Sequence, residues 1–223
     1  MKFIAFNGSP SGENSATKKM INSFLEGAKD AGAEVESYNL IDYDIKQCKG
    51  CFACWFQTPG KCVINDDMKN LLQAYQTADV VCFGSPVFSW NMTGILKNFV
   101  DRLVVLKSPL IAQEEGSFDM EDSKVRNQKY VAISNAGFPG EKNFEIIKAA
   151  FSCCNPSLEI YRNCGKLLKS KNPSVKSVVK EYLDTVKQCG YEMASEGKVS
   201  ETSLKNLEMP LMSTEEYVKF LGM

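Results

Sequence analysis

Short apolar runs alternate with amphipathic stretches along nearly the whole chain, and this alternation constrains the fold more than any other feature. Lys2 to Phe6 is an apolar run that stops at Asn7-Gly8, and Ser15 to Gly32 then carries Ala16, Met20, Phe24 and Ala28 at helical spacing. Val35 to Leu40 reads as a second strand. Asp66-Asp67 opens a helix through Met68, Leu71, Leu72 and Tyr75, and Ala78 to Gly84 has the unbroken apolar character of a strand buried on both faces. The same signals place a helix over Gly94 to Lys107, a strand over Tyr130 to Ser134, a helix over Phe144 to Cys153, a strand over Leu158 to Tyr161 and a long helix over Pro173 to Ala194. Five strands interleaved with five helices predict an α/β fold with a parallel sheet covered on both faces. Right-handed crossovers make a doubly wound five-stranded sheet of order 2-1-3-4-5 the most economical topology, a three-layer α/β/α sandwich.

Residues 1–200 are expected to form this domain, with a cysteine-rich loop over 42–65. Residues 201–223 read as a C-terminal extension that packs on the domain or on a second subunit, and Ser213-Thr214-Glu215-Glu216 resembles a helix cap ahead of Tyr217 to Leu221. Residues 108–128 are polar, acidic and longer than an ordinary connection, which predicts a surface excursion.

A chain of 223 residues can bury one ample core without disulfides. Its formal net charge of -1 excludes a strongly basic face, and with it nucleic acid or an anionic membrane as an expected partner. The apolar start stops at Gly8, too soon for an export signal, and no stretch approaches the roughly 20 apolar residues of a membrane helix. A cytoplasmic location is therefore expected, where nine cysteines serve as thiols and ligands rather than as a disulfide framework. The chain has no histidine, which excludes chemistry built on a His-activated nucleophile.

After the first strand the chain reads Gly8-Ser9-Pro10-Ser11-Gly12-Glu13-Asn14-Ser15-Ala16-Thr17, with a helix starting inside it. Backbone N–H groups and hydroxyls converging on a helix N-terminus suit a phosphate. The loop is neither a Walker A sequence, since Glu13 follows Gly12, nor a dinucleotide fingerprint, since Ser9 and Pro10 follow Gly8. Ser, Gly and Asn are also ordinary turn and cap residues, so it is the loop's place at the carboxyl end of the first strand that favours a ligand.

Four cysteines, Cys48, Cys51, Cys54 and Cys62, stand in the spacing C-x2-C-x2-C-x7-C between the second strand and the following helix. Thiols this close can hold an iron–sulfur cluster, hold zinc, or cycle as a dithiol, and all three stay open on spacing alone. Gly50 and Gly60 permit the turns that aim sulfurs inward, and Phe52, Trp55 and Phe56 are candidates to shield them. Cys82, Cys153, Cys154, Cys164 and Cys189 have no ligand spacing and read as core or incidental residues.

The third strand runs into Gly84-Ser85-Pro86-Val87-Phe88-Ser89-Trp90-Asn91-Met92-Thr93-Gly94, then Ile95-Leu96-Lys97-Asn98-Phe99-Val100-Asp101-Arg102. Together with Gly8 to Thr17, Asp66-Asp67-Met68, Ser134 to Gly140, Asn143-Phe144 and Pro210 to Val218, this resembles the flavodoxin-like NAD(P)H-dependent FMN reductases. The cysteine loop resembles that of their iron–sulfur flavoprotein-like subgroup. The resemblance implies an FMN-dependent oxidoreductase drawing electrons from NAD(P)H or a reduced ferredoxin-like donor, with a small-molecule or protein acceptor. By the same resemblance Ser9, Ser11, Asn14, Ser15, Ala16 and Thr17 hold the phosphate. Ser85, Pro86, Val87, Phe88, Ser89 and Trp90 run along the flavin ring, and Asn135, Ala136, Gly137 and Phe138 reach its pyrimidine edge. Cys48, Cys51, Cys54 and Cys62 ligate a [4Fe-4S] cluster that neighbours the flavin, and the assembly is a homodimer or a dimer of dimers. Many members carry Arg where Ser11 stands, so the phosphate here relies on neutral donors and the helix dipole. Asp101-Arg102 reads as a structural ion pair at a helix end, and no side-chain acid or base is expected to be catalytic. The competing expectations are a non-enzymatic flavodoxin-like electron carrier and a metal- or redox-sensing protein that uses the cysteines as a switch.

Overall fold

A computed structural model describes residues 1–107 and 128–222. Strands β1 (Lys2–Asn7), β2 (Glu34–Asn39), β3 (Val80–Pro86), β4 (Lys129–Asn135) and β5 (Leu158–Arg162) form one sheet in the order β2-β1-β3-β4-β5. Every pairing is parallel, which is the predicted topology. The crossover helices are α1 (Ala16–Asp30), α3 (Met68–Thr77), α4 (Gly94–Arg102) and α5 (Glu145–Ser152), and α6 (Pro173–Ser195) follows β5. A short α2 (Ala53–Phe56) lies within the cysteine loop, and α7 (Glu201–Leu207) and α8 (Thr214–Phe220) end the described chain. The acidic excursion expected over 108–128 falls, except for Gln128, outside the described residues.

Alternate residues of β1 face opposite layers, as strand geometry dictates. Phe3 and Ala5 join the core beneath α1 and α6, whereas Ile4 and Phe6 join the one beneath α3, α4 and α5. Helix α4 is shorter than the pattern predicts, because Leu103–Leu106 tightens into a 3-10 turn. The C-terminal segment packs on the first of these cores through Leu207, Leu211 and Tyr217. Arg162 donates to the carbonyls of Met209 at 2.6 Å and Leu207 at 2.7 Å, and the Ser213–Glu216 capping box forms as the sequence suggests. No helix among the described residues is long and apolar enough to cross a membrane.

Helices α1 and α6 meet backbone to backbone, and glycine makes the approach possible. A Cβ on Gly27 would run into the Lys187 carbonyl oxygen, and one on Gly190 into that of Phe24. Neither obstacle is a side-chain tip that could swing aside. Gly190→Ala is therefore expected to push the two helices apart and to cost on the order of 3 kcal/mol, read as a lower urea midpoint.

Candidate functional site

Three loops meet at the carboxyl end of the sheet, and hydrogen bonds between them fix their spacing. The Gly8 amide donates to the Gly84 carbonyl at 2.7 Å, and the Thr93 hydroxyl donates to the Gly8 carbonyl at 2.6 Å. The Val87 amide donates to the Asn135 carbonyl at 2.8 Å, and the Asn135 side-chain amide donates to the Thr17 hydroxyl at 2.7 Å. The loops after β1, β3 and β4 are thus held as one surface, where open α/β sheets bind ligands.

Asn7, which sequence reasoning missed, organises the first loop. Its fully buried side chain accepts from the Ser9 amide at 3.1 Å and donates to the Gly12 carbonyl and to Asn39 Oδ1, both at 3.1 Å. The available signal was a polar residue closing an otherwise apolar strand immediately before Gly8. The Ser15 hydroxyl caps α1 by accepting from the Lys18 amide at 2.9 Å. That leaves the amides of Ala16 and Thr17, for which no acceptor is found among the described residues. These two N–H groups at the positive end of a 15-residue helix can receive an anion. Glu13, the acid in this loop, turns to Asn39 and Lys18, and the Asn39 hydrogen bond leads in holding its carboxyl below the ordinary value.

The predicted residues divide into those that shape the surface and those that present themselves on it. Thr17 is buried and its hydroxyl is committed to Asn135. Ser85 is buried, donating to the Pro86 carbonyl and accepting from the Thr93 amide. Ala136 is buried, with its amide donating to the Arg162 carbonyl and its own carbonyl accepting from Gly165. Ser9 is buried, Ala16, Pro86 and Val87 are half-buried, and Ser11, Asn14, Ser89 and Gly137 are exposed. The Gly137 carbonyl accepts from the Tyr217 hydroxyl of α8 at 2.6 Å, so the C-terminal segment braces this loop. Phe88, Trp90 and Phe138 stand 53%, 59% and 59% exposed on adjoining loops. Phe88 and Asn91 bond to each other across a two-residue turn, with Ser89 and Trp90 at φ of 47° and 63°. Such a turn requires positive φ at both central residues, normally supplied by Gly or Asn, and here it presents an indole to solvent.

The cysteine loop is anchored elsewhere, by a buried fork between Arg102 and Asp66. Arg102 Nη1 donates to Asp66 Oδ2 at 2.7 Å and to the Lys46 carbonyl at 2.8 Å, and Nη2 donates to Asp66 Oδ1 at 3.0 Å. Asp66 in turn accepts from the Lys46 amide at 3.0 Å and the Met68 amide at 3.2 Å. The ion pair expected within Asp101-Arg102 is therefore a different pair. Neighbouring helical residues diverge around the axis, so Asp101 meets Lys97 one turn back while Arg102 crosses to Asp66.

Cys48, Cys51, Cys54 and Cys62 line one cavity of about 290 Å³ with Phe52, Asp101, Arg102, Val104 and Val105. Positive φ at Gly50, Phe52 and Gly60 turns the chain around it. Trp55 donates its indole N–H to the Val104 carbonyl at 2.9 Å and packs on Phe52. Phe56, expected to shield the thiols, is instead 73% exposed. The thiols surround a space without being gathered at a point: no group of three or more His, Cys, Asp or Glu suited to one metal ion occurs among the described residues. Burial, then the neighbouring Cys62, pushes the Cys54 thiol above its ordinary value. Cys82, Cys164 and Cys189 are buried in the core, Cys153 is exposed and Cys154 half-buried. The sheet-edge loops and the cysteine loop are joined by a shared helix. Thr93 at the start of α4 joins the sheet-edge loops and Arg102 at its end joins the cysteine cavity, roughly 13 Å of helix apart.

Asp66 has no exposed side-chain surface and Arg102 has 2%, so removing the carboxylate charge leaves a buried guanidinium uncompensated. Asp66→Asn is expected to destabilise the chain by about 3–5 kcal/mol in urea unfolding at neutral pH. Burial works to raise the Asp66 carboxyl, but the Arg102 and Lys46 hydrogen bonds outweigh it and hold it below the ordinary 3.8. Its stabilisation is complete above that value and is lost as pH falls through the lower folded one. The gap between wild type and Asp66→Asn should accordingly close only below about pH 4.

A family model described as NADPH-dependent FMN reductase matches residues 1–142. An iron-sulfur flavoprotein of Archaeoglobus fulgidus is 42% identical over 102 residues, 46% of this chain and 48% of that protein. One of Methanosarcina thermophila is 35% identical over 108 residues, 48% of this chain and 54% of that protein. The matched segment thus spans about half the length of these curated relatives. Among solved structures, an FMN-dependent NADH-azoreductase from Bacillus anthracis, in complex with FMN, superposes with a TM-score of 0.59 at 17% identity, covering 87% of this chain and 100% of that one. An NAD(P)H:quinone oxidoreductase from Methanothermobacter marburgensis gives 0.58 at 15% identity, covering 86% and 94%. At these identities the structural likeness establishes the flavodoxin-like fold. The sequence match runs through all three sheet-edge loops and the cysteine run, and the chain belongs to the NADPH-dependent FMN reductase family.

Proposed function

We propose that this chain is an FMN-dependent oxidoreductase. In this reading it takes electrons from NAD(P)H or a reduced ferredoxin-like donor and passes them through FMN and a [4Fe-4S] cluster to a small-molecule or protein acceptor. The observation that carries the flavin assignment is the stitched surface of three loops, which bears two amides without an acceptor among the described residues and three exposed aromatic rings.

The residues present fit FMN. The Ala16 and Thr17 amides, with Ser9, Ser11 and Asn14 around them, offer donors to a phosphate. Lys18 is engaged by Ser37 and Glu13 and Lys19 by the Leu168 carbonyl, so the helix dipole and neutral donors supply the attraction. Phe88, Trp90 and Phe138 offer an apolar wall for a flat ring, and Gly137 and Phe138 lie at the edge where its polar atoms would be read. Bound FMN supplies the ability to accept electrons as a pair and release them singly. The chain's own task is to bind, orient and exclude water, which a sequence without histidine can perform. The same exposed aromatics favour a homodimer that closes over them, since apolar rings this open in a protomer suit an interface.

Four thiols around one cavity fit a polynuclear group that gives each cysteine its own iron better than a single ion held at a point. Cys48, Cys51, Cys54 and Cys62 are the ligands in this reading. The names of the relatives matched over about half their length, iron-sulfur flavoproteins, support it.

Anaerobic purification followed by FMN titration is the test. One FMN per chain, NAD(P)H oxidation and about four irons with four sulfides per chain are expected. No flavin binding overturns the proposal, and FMN binding with fewer than about two irons overturns the cluster while leaving the flavin. Asn7→Ala, which unties the phosphate loop, is expected to weaken FMN binding at least about tenfold by fluorescence titration.

A further inference from the structure

Arg102 has five N–H donors, of which three meet Asp66 and the Lys46 carbonyl. Its Nε–H is buried and has no hydrogen-bond partner among the described residues, in a side chain only 2% exposed. A buried cationic donor left unmade is costly, and each such group calls for an explanation. The residue forms part of the wall of the cavity that holds all four thiols, and it lines a second, adjoining cavity with Cys62 alone of the four. The Asp66 fork fixes the guanidinium plane, and with it the direction of the Nε–H bond.

Resting on the cluster reading above, we propose that Arg102 is a positioning residue for the cluster. Its Nε–H donates to the Cys62 thiolate sulfur and so raises the reduction potential. A sulfur ligand carries more negative charge in the reduced state, so a fixed donor stabilises that state over the oxidised one. Asp66 orients the donor and neutralises the guanidinium's remaining charge, which keeps the effect local to Cys62. Lysine cannot replace it, because a point charge on a flexible stem lacks the fork that sets the direction.

The test uses the full chain, reconstituted anaerobically with iron and sulfide and reduced by one electron per cluster with dithionite. In wild-type protein labelled with 15N-arginine, pulsed electron paramagnetic resonance should show a nitrogen coupling to the reduced cluster. Arg102→Lys should bind the same iron but show a reduced-to-oxidised ratio lowered about tenfold at a fixed potential, about 59 mV for a one-electron couple. Because that variant can fail to fold, Asp66→Asn combined with Arg102→Met removes the donor without leaving a buried charge, and should lower the ratio in the same direction. Full iron with an unchanged midpoint in either variant, or full iron in the wild type without nitrogen coupling, overturns the inference alone. A wild-type chain that takes up no iron overturns the cluster reading and this inference together.

Discussion

One buried guanidinium holds the cysteine loop to the rest of the molecule. Arg102 sits at the end of α4, yet it grips Lys46 near the start of the loop and Asp66 at its end, and Asp66 also starts α3 by accepting from Met68. A long loop whose two ends converge on the same side chain loses much of its freedom in one contact. A buried ion pair is weak evidence for net stability, because desolvation of both charges offsets their attraction. Its clearer contribution is geometric: bidentate pairing leaves one permitted orientation, and the four thiols are set around their cavity relative to that orientation.

Helix α4 links the sheet-edge loops to the cysteine loop. Its first turn is capped by Thr93, whose hydroxyl also reaches the Gly8 carbonyl and so fixes the sheet-edge loops to the helix. Its last residue fixes the cysteine loop. Regular secondary structure is stiffer than either loop, so the separation of the two sites is set by helix length rather than by loop conformation. Between Thr93 and β3, the Ser89-Trp90 turn holds two residues in a backbone region that costs about 1–3 kcal/mol each. The surrounding hydrogen bonds, Phe88 to Asn91 in both directions and Ser85 to Thr93, keep the turn in place and hold Trp90 outward.

Much of this was legible in the chain, and the failures have physical causes. The strand order followed from alternation and crossover handedness, and element boundaries fell within a few residues, because periodicity is a local property. The Gly8 to Thr17 and Ser85 to Trp90 loops were legible as a surface at the sheet edge. Which side chains present themselves there was not. Sequence marks Ser15, Thr17 and Ser85 as ligand contacts, and the structure adds to that expectation the bonds of a helix cap, an interloop acceptor and a loop brace. Asn7 looks like the end of a strand and is the organiser of the loop. A polar side chain's partner depends on what tertiary packing brings near it, and hydrogen-bonding capacity alone does not name that partner. Arg102 shows the same limit, since its partner lies 36 residues away rather than beside it.

The sequence by itself determined the doubly wound sheet, the place of the three loops at its carboxyl edge, and the grouping of four thiols in one connection. Periods of two and 3.6, cap residues and cysteine spacing are written in neighbouring residues, so no distant contact is needed to read them. Tertiary structure alone decided that Asp66 and Arg102 pair, that their pairing places the thiols at the far end of α4 from the sheet-edge loops, and that the C-terminal segment braces Gly137 through Tyr217. Each of these joins groups distant in the chain, and desolvation makes the choice: a buried donor or charge takes whichever partner the packed core leaves within reach.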